Sequence, residues 1–133
     1  EYPMCTLITG ERSLSSLVGV MAHEVSHSWY QAVLASNESL YAWFDEGFTD
    51  FSADESMASI FNEPNDHAGS YNGYFALVRS GLQEPMNQHS DHFTTNRAYG
   101  TSAYSMGAVF LHQLKYIIGA ANFYKGMLRS YNT

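Results

Sequence analysis

Residues 14–34, LSSLVGVMAHEVSHSWYQAVL, decide the fold. Leu14, Leu17, Val18, Met21, Val25 and Trp29 recur near the helical period, so a single helix is expected from about Leu14 to Leu34. Ser13, just ahead of it, is the residue type that caps a helix N-terminus. Inside this helix lies His23-Glu24-Val25-Ser26-His27. Side chains four positions apart share one helical face, one turn from each other, so both imidazoles can reach a single ion.

Working outward, a second helix is expected from near Asp45 to about Phe61, with Phe44, Phe48, Phe51 and Met57 on its apolar side. Asn62 to Asp66, containing Pro64, closes it. Further helices are expected over Tyr71 to Ser80, Ser102 to Ile118 and Asn122 to Tyr131. The stretch from Gly81 to Asn96 reads as the longest loop. Ahead of the first helix, Met4 to Thr9 alternates loosely and suggests a short strand. The fold class is therefore mainly α, with at most that N-terminal strand.

Composition narrows the functional classes. The chain has 133 residues, 45% of them hydrophobic, which suits one domain with a real core rather than a disordered tract. No apolar run approaches the ~18 residues of a membrane-spanning helix. A formal charge of −7 with six scattered basic residues argues against nucleic acid, whose phosphates call for clustered Lys and Arg. An acidic surface suits positively charged partners such as peptide α-ammonium groups. The lone Cys5 excludes an internal disulfide framework. Starting at Glu1 in mid-pattern, the chain reads as a segment of a longer protein, 1–133 forming a single domain. Its composition is compatible with an extracytoplasmic location.

The H-E-x-x-H pattern carries the chemistry. Neutral imidazole suits zinc, and a tetrahedral site also needs a third protein ligand and a position open to water. Glu24, adjacent to His23, is placed to take a proton from that water. About 0.02 chance matches to the pattern are expected from this chain's own His and Glu frequencies. A helix hairpin brings the start of the second helix back beside the first, with Asp45, Glu46 and Asp50 as carboxylates facing the imidazoles. Those not used as a ligand would orient the ligating histidines.

His23-Glu24-Val25-Ser26-His27-Ser28-Trp29, eighteen intervening residues and Asp45-Glu46-Gly47-Phe48 together resemble the aminopeptidase N and leukotriene hydrolase group of gluzincin peptidases. Glu1-Tyr2-Pro3 resembles the end of that family's G-x-M-E-N motif, with Tyr2 replacing Asn. Ala98 to Gly107 resembles the later segment with a tyrosine in Y-x-K-G, and Asn122 to Tyr131 the helix that follows. The resemblance covers nearly the whole chain. It implies a thermolysin-like catalytic-domain segment that holds one Zn2+ through His23, His27 and Glu46 and hydrolyses peptides. Glu24 would be the acid–base residue, Tyr104 the donor to the oxyanion, and Glu1 the carboxylate that holds a substrate's free α-ammonium. That set implies an aminopeptidase; an endopeptidase, or a zinc-binding segment inactive alone, are the alternatives. Flanking domains of the parent protein would complete the substrate cleft.

The chain departs from the family pattern in two places. Met106 stands where Lys is usual, and Ala53 where many relatives carry a Glu beside the metal ligands; Asp50 or Asp54 is the expected substitute. His89-Ser90-Asp91-His92 falls in irregular chain and reads as loop polarity rather than a second metal site. His67 and His112 are expected at the surface.

Overall fold

The computed structural model describes residues 1, 2 and 4–132. The chain is mainly helical, as expected, and among the described residues there is no sheet. Helix α1 (Leu14–His27) starts where Ser13 accepts a hydrogen bond from Ser16 N at 3.3 Å. It does not stay α-helical to Leu34. From Ser28 to Val33 it widens into a π-helical turn, closed by Leu34 N donating to Trp29 O at 3.0 Å. The second helix likewise opens on a π turn, Trp43–Gly47, before α2 (Phe48–Phe61), which ends at Asn62 in the left-handed conformation.

Helix α3 (Ala68–Arg79) begins three residues before the expected Tyr71. Its start is fixed by side chains: Asn65 Oδ1 accepts from His67 N at 3.1 Å, and Asp66 Oδ1 from Ala68 N at 2.9 Å. The long connection after it holds one 3₁₀ turn, Ser90–His92, tied back by Ser90 N to Ser39 O at 2.8 Å. The expected fourth helix is three pieces in one rod: α4 (Asn96–Thr101), a π turn (Ser102–Met106) and α5 (Gly107–Ile118). Its early start comes from Thr95, whose hydroxyl accepts from Ala98 N at 3.0 Å. Gly119 then turns the chain into α6 (Ala120–Tyr131).

The short strand expected over Met4 to Thr9 does not form. Cys5 N donates to Tyr2 O at 2.9 Å in one isolated bridge, and Met4 has a positive φ of 64°. A strand needs a neighbouring extended segment to take its hydrogen bonds, and among the described residues none runs beside it. Pro3 lies outside the described residues.

Phe51, Ala108, Leu111 and Phe123 form the buried core, bringing α2, α5 and α6 together, with Phe48, Leu114 and Met127 around it. The apolar stripe of α1 is not all core: Leu14, Met21, Val25 and Trp29 are exposed. His67, expected at the surface, is instead 3% exposed. Its ring stacks on Phe51, Nδ1 lies 3.0 Å from Asp54 Oδ2, and the half-buried His112 ring packs 4.3 Å from it. A polar ring can be buried when its nitrogens have partners, and here Asp54 meets Nδ1 and Asn65 meets Nε2.

A tight backbone contact joins the second π turn to Gly107, the residue after the third. A Cβ on Gly47 would sit 2.7 Å from Gly107 Cα, and one on Gly107 would sit 2.8 Å from Gly47 Cα. Backbone meets backbone, so no flexible side chain can yield. Gly107→Ala is expected to cost about 1–3 kcal/mol by overpacking. A thermal melt should show a fall of several degrees, whereas Gly69→Ala, with nothing within 4 Å of its Cβ, should leave the melt nearly unchanged.

Candidate metal centre

Four side chains converge where α1 meets the two π turns. His23 and His27 reach inward from the last two turns of α1, Glu46 from the turn before α2, and Tyr104 from the turn before α5. His23 Nε2 and His27 Nε2 are 3.2 Å apart, and each is 3.3 Å from Glu46 Oε2. These three atoms thus form a near-equilateral triangle. A tetrahedral ion with bonds of about 2.0–2.1 Å holds its ligand atoms about 3.3 Å apart. The triangle has the right size, and its donor set of two imidazoles and one carboxylate is one that zinc accepts. Glu46 Oε2 is moreover buried without a hydrogen bond, an orphaned acceptor that a cation at the triangle would satisfy. His23, His27 and Glu46 therefore form a possible metal site.

The outer nitrogens are also occupied, and this separates the rival carboxylates. Asp50 Oδ1 lies 2.8 Å from His23 Nδ1, and Asp45 Oδ1 lies 2.8 Å from His27 Nδ1. Asp45 and Asp50 thus face the backs of the rings, while Glu46 faces their fronts. A carboxylate on Nδ1 favours the tautomer with its proton there, which leaves Nε2 with a free lone pair toward the triangle. Asp54, the other candidate substitute for a Glu at position 53, is turned to His67 instead.

The electrostatics agree with a site built around positive charge. Burial alone would lower the pKa of each histidine. The carboxylates of Asp50 and Glu46 outweigh it at His23, pushing it up to about 9, and those of Asp45 and Glu46 push His27 up to about 10. Burial alone would raise Glu46; the imidazoles of His23 and His27 beside it and the Tyr104 hydroxyl instead hold it down at about 2. Three carboxylates around two imidazoles call for a cation, and a divalent ion answers that call with both rings neutral.

Tyr104 lies with its ring parallel to that of His23, 5.8 Å away, and its hydroxyl donates to Glu46 Oε1 at 2.5 Å. Burial and the Glu46 carboxylate both raise its pKa, so it stays a phenol. Glu24 flanks the triangle on the same helix, half-buried, and its Oε2 accepts from the α-ammonium of Glu1 at 2.8 Å. The Glu1 side chain lies on the other side, in a polar cleft of about 240 Å³ that it lines with Glu38, Asp45, Glu46 and Tyr99. A wider cleft of about 530 Å³ opens over His23, Glu24, Asp50 and Tyr104. All six residues singled out from the sequence are thus brought to one place. Met106 is half-buried at the end of the third π turn. His89 and His92 stay in their loop, and among the described residues neither belongs to a group able to hold a metal.

Sequence reasoning did not find the π turns or the pairing of each histidine with its own aspartate. The spacing of Asp45, Glu46 and Asp50 offered three carboxylates without saying which nitrogen each would meet.

Comparison with known proteins identifies the family. The chain matches the Peptidase family M1 domain over residues 5–133. It is 27% identical to leukotriene A-4 hydrolase of Xenopus laevis over 135 residues, 95% of this chain and 21% of that protein. It is 29% identical to leucine aminopeptidase 2 of Coccidioides immitis (strain RS) over 120 residues, 81% of this chain and 19% of that protein. Leucine aminopeptidase 2 of Saccharomyces cerevisiae (strain YJM789) is 26% identical over 134 residues, 95% of this chain and 20% of that protein. The chain thus spans about a fifth of the length of these relatives. No solved structure gives a significant match. With nearly its whole length matched, and with its histidines and glutamate converging as they do, this chain belongs to peptidase family M1.

Proposed function

We propose that the chain is the zinc-binding catalytic segment of an aminopeptidase, with His23, His27 and Glu46 as the metal ligands. The observation that carries this reading is the triangle of ligand atoms with edges of 3.2–3.3 Å around an orphaned carboxylate oxygen. Bound there, zinc would supply Lewis-acid polarisation of a peptide carbonyl and a water acidic enough to ionise near neutrality.

The remaining work falls to the chain's own groups. Glu24, one residue from a ligand and at the edge of the wider cleft, takes a proton from the attacking water and passes it to the leaving amine. Tyr104, kept protonated by burial and by Glu46, turns its hydroxyl toward the oxyanion as the carbonyl becomes tetrahedral. Glu1 receives the substrate's α-ammonium in the acidic cleft beside Glu46. That last role is what makes the reading an exopeptidase rather than an endopeptidase. Removal of N-terminal residues also accords with the leucine aminopeptidase 2 relatives.

Glu24→Gln is expected to retain one zinc per chain by metal analysis and to lose most turnover on an aminoacyl reporter; near-normal turnover would remove Glu24 from the chemistry. Tyr104→Phe should lower kcat by about 10²–10³, the usual cost of one oxyanion donor. Hydrolysis of a free aminoacyl amide compared with its N-acetylated form tests the role of Glu1. Equal rates would favour the endopeptidase. A second reading rests on the chain spanning about a fifth of its relatives: the segment binds zinc but needs further chain to complete its cleft. Zinc uptake without turnover in the 133-residue chain would select that reading.

A further inference from the structure

The polar cleft beside Glu46 holds more negative charge than one substrate ammonium can balance. Glu1, Glu38, Asp45 and Glu46 line it, and no Lys, Arg or His does. One carboxylate oxygen each from Glu1, Glu38 and Asp45 lies within 4.8 Å of the other two. Two of the four carboxylates are already committed: Glu46 closes the ligand triangle, and Asp45 meets His27 Nδ1 at 2.8 Å. Glu1 is the carboxylate assigned above to the α-ammonium. Glu38 is left over. It is exposed, and among the described residues no hydrogen bond or ion pair engages its carboxylate. A cleft lined by one sign of charge focuses its field on an incoming ion of the other sign.

The cleft also has room for more than an ammonium. Its wall residues Ser39, Ala42 and Ser90 are small, and its volume is about 240 Å³. Ser90 N donates to Ser39 O at 2.8 Å, which joins the two wall segments. Tyr99, packed edge-to-face on Phe93 at 5.5 Å, adds an aromatic surface along which an aliphatic stem or a cation can lie. The floor is the metal centre itself: Glu46, 6% exposed, lines the cleft and keeps Oε2 without a hydrogen bond. In a substrate whose α-ammonium sits at Glu1, the α-carbon is one bond away, so the side chain of its first residue begins in this cleft. We infer that Glu38 is a specificity-determining residue and that the site favours peptides with a basic N-terminal residue, Lys or Arg, whose side-chain cation meets Glu38 while the α-ammonium meets Glu1. The inference rests on the aminopeptidase reading above. A Lys stem is long and flexible enough to lie along Tyr99, and its ammonium carries three donors for the carboxylates around it. An acidic side chain would meet like charge on every side.

The test compares L-lysinamide with L-norleucinamide, which keeps the stem and lacks the side-chain ammonium, by calorimetric titration into the zinc-loaded chain at low ionic strength. Binding is read rather than turnover, so the result does not depend on the segment hydrolysing peptides alone. Lysinamide is expected to bind about fivefold tighter, the upper scale of a charge pair open to solvent. The ratio should shrink as salt is added. Glu38→Gln should bring it close to one, whereas Glu1→Ala should weaken both amides alike. Equal binding of the two amides to the unmutated chain, or a ratio that survives Glu38→Gln, would overturn the inference and leave the aminopeptidase reading standing. A second zinc or calcium ion taken up by the unmutated chain and lost in Glu38→Gln would also overturn it, because the carboxylates would then serve a metal. If neither amide binds, the α-ammonium role of Glu1 fails, and this inference with it.

Discussion

The contact between Gly47 and Gly107 is the constraint on which the site depends. Glu46 precedes one of these glycines and Tyr104 lies three residues before the other. Because the two backbones touch with no side chain between them, the Glu46 carboxylate and the Tyr104 phenol come within 2.5 Å. A side chain at either glycine would force the two turns apart and lengthen that hydrogen bond. The two turns they join are π-helical, and the first π turn, Ser28–Val33, follows directly after His27. Each such turn inserts a residue relative to α geometry and re-aims the side chains near it. The helices beyond can then keep their core register while the site residues point to a different place. Phe51 and Leu111 remain buried in the core even though Glu46 and Tyr104 leave it.

The second constraint is electrostatic. His27, Asp45 and Glu46 are all nearly or fully buried, and an unpaired charge in such a place costs several kcal/mol. The fold offsets this by alternation: carboxylate, imidazole, carboxylate, imidazole, carboxylate, from Asp45 through His27, Glu46 and His23 to Asp50. Every neighbour in that row is a hydrogen-bond partner or a charge of opposite tendency. The row carries three acidic groups against two rings, and its one orphaned atom sits at its middle. Placing the orphan between both Nε2 atoms makes the centre of the row the most favourable position for a cation.

Much of this was legible in the sequence, and the reasons differ by element. The helix holding His23 and His27 declared itself through period and cap, and a hairpin of two helices brought Asp45, Glu46 and Asp50 toward the rings, with Glu46 chosen among them on resemblance. Tyr104 and Glu1 were reached through resemblance, because a chain with ten tyrosines offers no physical ground for choosing one. The π turns were invisible because an inserted residue shifts the hydrophobic period by less than a short window resolves. The strand over Met4 to Thr9 was misread because local alternation says nothing about a pairing partner. His67 was placed at the surface on residue type alone. Its burial depends on Asp54 and Phe51 of α2 and His112 of α5, which only the fold brings together.

The contacts that bury His67 also matter to the metal site. Positions 46, 50 and 54 follow one another along a single helical row: Glu46 toward the triangle, Asp50 to His23, Asp54 to His67. A rotation of α2 by one residue, about 100°, would take all three from their partners at once. The His67 contact lies on the far side of Asp50 from the triangle and is fixed by a ring stacked at 8° on Phe51, itself part of the core. The rotational setting of the metal-side carboxylates is therefore anchored in the apolar core through a residue that makes no contact with the metal site. Helix α2 holds its register at both ends of this row, and the open cleft lies beside the stretch between them.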